Sequence, residues 1–498
     1  MKGVWKLLTI FMFTAALLAQ YSIAAEQQPA ATTPSPAVST DSGRSYDDFR
    51  DWFHNPTDWL SMGADYRFRW VNGWNLDTLN SDATRRNSGW NFLRNRMRWW
   101  TKTKINDDMD FNLKLTWEFR SWDGPERKSQ QVDFDEIMFD QFNLTVRNLF
   151  DAPLTMVAGR QDIFLGEGWL ICDANPLDGS RTAFFDALRF TYKPNDNVSL
   201  DMIYIENRAS QDAYLKPIND RHRQGTEQDE RAIIIYLTDK SRSNMNLEGY
   251  FIYKNDNPIN YNPTDPHDIW PAFRSPAYWS RKAEIYTIGG AMSGKIADSE
   301  HWKYRMEGAF QVGRKETLTG CGLKMQDLQA FGTVDRIEYH FNDAKKNKLR
   351  GSFEFLSGDD PDTSKNEAFD PLWGEWPRVS EILSYSYNLE TMIGEVTNLY
   401  RLGLGHSIQL TEKLSMDTDY HMLWADENTV GGTAHSSGLA WSQNSRFRGH
   451  LGTMWFKYQF TKQFKGHILL EYFSPGNYYE SSSRDAAYFA RLNLEYTF

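Results

Sequence analysis

A chain of 498 residues with a formal net charge of −11 lacks the basic footprint that a nucleic-acid partner needs, whereas an anionic solute stays open because only the charges lining its path act on it. Two cysteines, Cys172 and Cys321, exclude a disulfide framework and allow one bridge at most. Aromatic residues make up 15%, with 19 Trp, 24 Tyr and 31 Phe, in a chain of mean hydropathy −0.63, which suits a barrel with aromatic girdles around a wet interior.

In chain order, Lys2 and Lys6 precede an apolar stretch from Leu7 to Ile23, with Ser22 and Ala24 placed for cleavage. Residues 1–25 therefore read as a secretory signal; a retained anchor is the alternative, and the stretch is short for one. Residues 26–58 follow as a tail and short periplasmic segment, of which Glu26 to Gly43 is rich in Ala, Pro, Ser and Thr and cannot bury a core. Within it, the spacing of Tyr46, Phe49, Trp52 and Phe53 predicts a short helix over 45–58.

From Trp59 onward the pattern changes to period two, which sends alternate side chains of a strand to opposite faces. Phe111, Leu113, Leu115, Trp117 and Phe119 alternate with Asn112, Lys114, Thr116, Glu118 and Arg120. Leu414 to Met422 and Leu492 to Phe498 read the same way. About eighteen such strands are predicted, starting near Trp59, Asn91, Met109, Phe134, Pro153, Ala183, Val198, Glu230, Asn244, Ala283, His301, Met325, Asn347, Leu399, Lys413, Phe447, Lys465 and Ala487. The even-numbered connections are short and the odd ones long, as in Asn72 to Trp90, Asn207 to Asp229, Asn255 to Lys282, Ser357 to Asn398 and Asp426 to Arg446. Short periplasmic turns alternating with long extracellular loops are the habit of outer-membrane barrels. The predicted fold is thus all-β, a large antiparallel transmembrane β-barrel over residues 59–498. A soluble sandwich or propeller is the competing fold, and no motif repeats every four strands as a propeller requires. Phe498 closes the final oily face and suits recognition by the barrel assembly machinery, with outer-membrane lipid outside.

Eighteen strands enclose a bore too wide for side chains to fill. Arginine facing lipid at mid-membrane costs about 2–4 kcal/mol, so the rows Arg67, Arg69 and Arg94, Arg96, Arg98 are expected to face inward. Arg120, Arg160, Arg189, Arg350, Arg401 and Arg491 add single guanidinium groups at strand positions. The planar fork of arginine donates to both oxygens of a carboxylate, so the implied ligand is polyanionic. The competing reading is that Glu118, Asp135, Glu354, Asp417, Asp419 and Glu495 pair with these arginines merely to keep a polar wall.

Three stretches, Gly159 to Gly168, Arg181 with Phe185 to Arg189, and Phe369 to Gly374, together resemble the alginate export family, whose members are outer-membrane barrels with an arginine-rich pore for a uronic-acid polymer. Gly159-Arg160-Gln161 through Gly168 is similar to the family's Gly-Arg-Gln segment. Arg181 followed by Phe185-Asp186-Ala187-Leu188-Arg189 resembles its downstream pattern, and Phe369-Asp370-Pro371-Leu372-Trp373-Gly374 is the third match. The resemblance implies that Arg160, Arg181 and Arg189 belong to the substrate path, that the 357–398 loop folds toward the pore as a gate, and that periplasmic export partners feed it. Cys172 to Pro176 has no counterpart in the family pattern.

Other chemistry is thinly supported. His435-Ser436 with Asp426 is a sequence neighbourhood, and a triad is defined by geometry. Asp359, Asp360 and Asp362 offer oxygen ligands to calcium without the regular spacing of a calcium loop. Zinc and phosphate-loop motifs are missing, so no cofactor is expected. The expectation is a non-enzymatic channel for an anionic polysaccharide or oligosaccharide; a general porin, or a surface enzyme or adhesin built on the loops, are the alternatives.

Overall fold

The computed structural model describes residues 46–76, 79–81, 90–124, 132–133, 136–172, 184–209, 214–219, 228–258, 282–319, 322–374, 379–382, 397–428, 433–434, 439–440, 442 and 445–498. The expected signal segment, most of the tail, Asp135, Cys321, Arg181, His435 and Ser436 lie outside them. Residues 50–498 form one compact unit; of the other, 1–49, only 46–49 are described, and they begin a helix, α1 (Tyr46–His54).

Eighteen barrel strands follow: β1 (Leu60–Trp74), β2 (Trp90–Asn106), β3 (Met109–Gly124), β4 (Ile137–Val146), β5 (Leu154–Gln161), β6 (Phe185–Asn195), β7 (Val198–Asn207), β8 (Asp229–Asp239) and β9 (Met245–Asn257). The second half comprises β10 (Ala283–Lys295), β11 (Trp302–Thr319), β12 (Gly322–His340), β13 (Lys348–Leu356), β14 (Leu399–Gln409), β15 (Leu414–Trp424), β16 (Phe447–Gln459), β17 (Phe464–Pro475) and β18 (Ala487–Thr497). Each pairs antiparallel with its sequence neighbours, and β1 also pairs with β18, which closes the sheet into a barrel. Closure leaves no unpaired edge, the condition for strands to sit in hydrocarbon.

The period-two pattern fixes which side faces out. On β1, Tyr66, Phe68 and Trp70 alternate with Asp65, Arg67 and Arg69, and only the second set is buried. Ile233, Ile235 and Leu237 on β8 or Leu402 and Leu404 on β14 are exposed outward; they are the lipid-facing belt, so this apolar exposure is what the membrane requires. Tyr400, Tyr472 and Tyr488 lie toward one rim and Tyr192, Trp302 and Phe341 toward the other, as aromatic girdles do.

The eighteen predicted starts fall within three residues of those observed. The alternation of short and long connections holds except between β11 and β12, joined by residues 320–321 alone. These are also the longest strands, 18 and 19 residues, so the ribbon itself reaches past its neighbours where elsewhere a loop does.

Two glycines on β14 shape the inner wall. The register sets Arg350 of β13, Gly405 of β14 and Asp419 of β15 side by side. Arg350 reaches over the glycine to donate to Asp419 Oδ1 at 2.6 Å. A Cβ at Gly405 would lie 2.1 Å from that oxygen and 2.6 Å from Arg350 Nη2. Gly403 similarly makes room for Ser352 and His421. Gly405→Val is expected to displace the ion pair and destabilise the barrel by about 1–3 kcal/mol, read as a lower urea midpoint in liposomes, whereas Leu404→Val on the lipid face leaves the midpoint unchanged.

Candidate functional site

Two connections that emerge on the long-loop side turn inward, and the segments carrying the family resemblance meet there. Arg160 on β5 makes a bidentate pair with Asp186 on β6, at 2.8 and 2.9 Å, so the Gly-Arg-Gln stretch and the Phe-Asp stretch clamp each other across neighbouring strands. Gly166 and Gly168, both at positive φ, turn the following loop so that Trp169, Leu170 and Ile171 are buried. Onto this inner loop packs Phe369–Gly374 from the β13–β14 connection: Trp169 stacks on Phe369 at 5.4 Å, and the Trp373 amide donates to the Leu170 carbonyl at 3.0 Å.

The described residues of that connection, 357–374 and 379–382, are held against two sides of the lumen and are called the strap below. On one side Asp370 accepts from Lys315 Nζ at 2.7 Å, its backbone exchanges two 2.8 Å bonds with Gln311, and Trp373 Nε1 donates to Glu230 at 2.8 Å. These anchors stand on β11 and β8. On the other side Glu471 of β17 accepts from Ser380 Oγ and the amides of Glu381 and Ile382 at 2.8–3.0 Å. Arg491 of β18 pairs with Glu381 at 2.6 Å. Because a buried pair costs about 3–5 kcal/mol when one partner is removed, these contacts hold the strap as a fixed element. The inward fold expected of the 357–398 loop is thereby found for its described residues.

All the predicted arginines within the described residues point to the lumen side or its loops, and nearly all have carboxylate partners. Arg189 pairs with Asp201, Arg350 with Asp419 and Arg401 with Glu354, at 2.6–2.8 Å. Arg120 lies over the rings of Phe92 and Trp122, and Arg69 donates to Asn493 at 2.6 Å. The β1–β2 wall differs. Arg67 and Arg94 share one carboxylate, Glu118, at 2.8 and 2.9 Å. Arg98 and Arg96 share Asp65, the first at 2.6 Å and the second only at 4.0 Å. Arg94 Nη2 and Arg96 Nε are buried without a hydrogen-bond partner. This wall carries an excess of positive charge.

Several lumen cations were not singled out from sequence. Arg305 (paired with Glu248 and Glu307), Arg336 (with Glu167), Lys114 (with Asp140 and Asp162) and Lys254 (with Glu230 and Asp256) all stand at period-two positions on the inner face. The same alternation that marked Arg94 to Arg98 marks them.

Between the strap, the inner loop and the β12–β16 wall lies a cavity of about 560 Å³. Its charged wall contains the ion pairs Arg336–Glu167, Lys348–Glu338, Arg350–Asp419 and Arg401–Glu354, at 2.6–3.3 Å, and Asp335, which accepts from Thr333. Edges of Trp169, Phe369 and Trp455 supply apolar surface.

In the long loop, Asp359 accepts from the Glu367 amide at 3.1 Å, and burial, with Glu367 and Asp360 nearby, pushes its carboxyl up to about 6. Asp360 instead accepts from the Asp362 amide at 2.9 Å, and among the described residues no three or more acidic, His or Cys side chains are placed to hold a metal ion. Asp426 accepts from the Gly358 amide at 2.9 Å, a loop-pinning contact.

Among solved structures the fold is similar to Pseudomonas aeruginosa OccK9 (OpdG), 9% identical over 88% of this chain and 98% of that one, with a TM-score of 0.53. It is similar also to Acinetobacter baumannii OccAB1, 10% identical over 90% and 97%, with a TM-score of 0.51. At such identities the likeness concerns the barrel fold alone. No curated protein matches in sequence. The family model described as alginate export matches residues 58–491, that is, the barrel from before β1 into β18 with the clamp, inner loop and strap included. The chain belongs to the alginate export family and is a β-barrel channel of the bacterial outer membrane.

Proposed function

We propose that the channel passes acidic saccharides, of polymer or oligomer length and alginate-like in carrying carboxylates, by passive movement along the lumen. The observation that carries this reading is the β1–β2 wall, where Glu118 and Asp65 each serve two guanidinium groups and nitrogens of Arg94 and Arg96 remain unpartnered. Guanidinium with spare donors in a confined, weakly screened lumen raises the local concentration of carboxylates. The family supports a polysaccharide as the solute. Arg67, Arg69, Arg120, Arg160, Arg189 and Arg491 extend the path in this proposal; Arg160, held bidentately by Asp186, acts in it by positioning the inner loop.

A general porin is the second reading, favoured by the carboxylate pairing of the remaining lumen cations, which keeps a wall polar without preferring a charge. Planar-bilayer recordings decide between them. Anion selectivity in a salt gradient, with concentration-dependent block by polyuronate, is the expected result; a non-selective pore that polyuronate does not block leaves the general porin.

A further inference from the structure

The cavity beside the strap differs chemically from the β1–β2 wall, and the difference assigns it a different ligand group. Each of its cations already has a carboxylate in contact, so a ligand carboxylate entering here meets an acid beside every guanidinium. Hydroxyl groups suit this pattern, because one hydroxyl accepts from a cation and donates to the neighbouring acid. A further group on the wall needs an acceptor. His421 is buried at the cavity wall, and its Nδ1 faces Arg401 Nη1 at 3.4 Å. Arginine only donates, so Nδ1 accepts and the ring proton resides on Nε2, which has no hydrogen-bond partner. The volume lies within the ~300–1,000 Å³ usual for small-molecule sites, and the indole and phenyl edges offer surface to the C–H face of a ring.

We propose that this cavity is a seat for an uncharged, polyhydroxylated sugar ring, with Asp419 and Glu354 accepting from its hydroxyls and Arg350, Arg401 and His421 donating to them. The seat presupposes a saccharide in the lumen but not a charged one, so it stands or falls separately from the acidic-solute reading. The channel accordingly has two recognition zones, one for carboxylates on β1–β2 and one for neutral rings on β13–β15.

The test uses the full-length barrel in planar bilayers with maltotetraose as the neutral probe and a tetrauronate as the acidic one, alongside quenching of tryptophan fluorescence in detergent as a binding readout independent of conductance. The wild-type channel is expected to bind and be blocked by maltotetraose. Asp419→Asn keeps the shape but releases Arg350, so it is expected to weaken the neutral probe about tenfold and to strengthen the tetrauronate. Heat-modified gel mobility checks that the variant folds; should it not, Ser352→Ala, which removes a polar group bonded to Arg401, is read the same way for loss of maltotetraose binding. Maltotetraose without effect on either readout overturns the seat, as does an Asp419→Asn channel that loses both probes equally; failure of the tetrauronate alone overturns only the acidic-solute reading.

Discussion

Asp370→Ala channels are expected to conduct several-fold more current than the wild type and to dwell longer in the open state. The substitution strips Lys315 of a 2.7 Å partner inside the barrel and removes the oxygen that caps the Leu372 amide at 2.8 Å. Removing one partner of a buried ion pair costs about 3–5 kcal/mol, so the docked state loses part of its advantage. Glu381→Ala, which releases Arg491 on the far wall, is expected to act in the same direction, and the two together to exceed either. Single-channel recording at fixed salt checks this; conductance unchanged in the double variant means that the solute's path avoids the strap.

Replacing Arg94, Arg96 and Arg98 together with Ala is expected to lower the anion-to-cation permeability ratio on the order of tenfold in dilute salt, while the barrel still assembles. The three side chains project from the inner face of β2, and their removal leaves Glu118 and Asp65 shared by fewer cations, so the wall turns from electropositive toward neutral. Screening sets the size of the effect: the Debye length is about 10 Å at 0.1 M and about 3 Å at 1 M, so the shift in reversal potential shrinks as salt rises. An unchanged reversal potential at low salt removes these residues from the path.

The strands were legible in the sequence because a barrel wall imposes one rule, oily outside and polar inside, on every second residue, as Phe111 to Arg120 displays. The β11–β12 connection departs from the expected alternation: strand continues there where a long loop was expected. The inward fold of the strap was available only through the resemblance, since nothing in Phe369–Gly374 alone announces that Asp370 will find Lys315 some 55 residues earlier. Ion pairing was the least legible feature. Arg350 and Asp419 are 69 residues apart and belong to strands that are not even adjacent; they meet because Gly405 stands between them, and a reading of strands one at a time cannot see across a neighbour.

The seam between β1 and β18 has a consequence for how the molecule comes to exist. One edge of residues 65–74 pairs with the neighbouring β2, but the other finds its partners only in 488–497, and Phe498 completes the seam by exchanging backbone hydrogen bonds with Ala64 and packing its ring on Phe53 at 4.8 Å. Contacts at such sequence separation form slowly because loop closure precedes any gain from them. Until the chain is nearly all delivered, both β1 and the growing end present open hydrogen-bonding edges, which water satisfies and hydrocarbon does not. A nascent barrel of this kind is therefore a curved open sheet in need of a host, and the last pairing converts it in one step from a passenger into a self-contained wall.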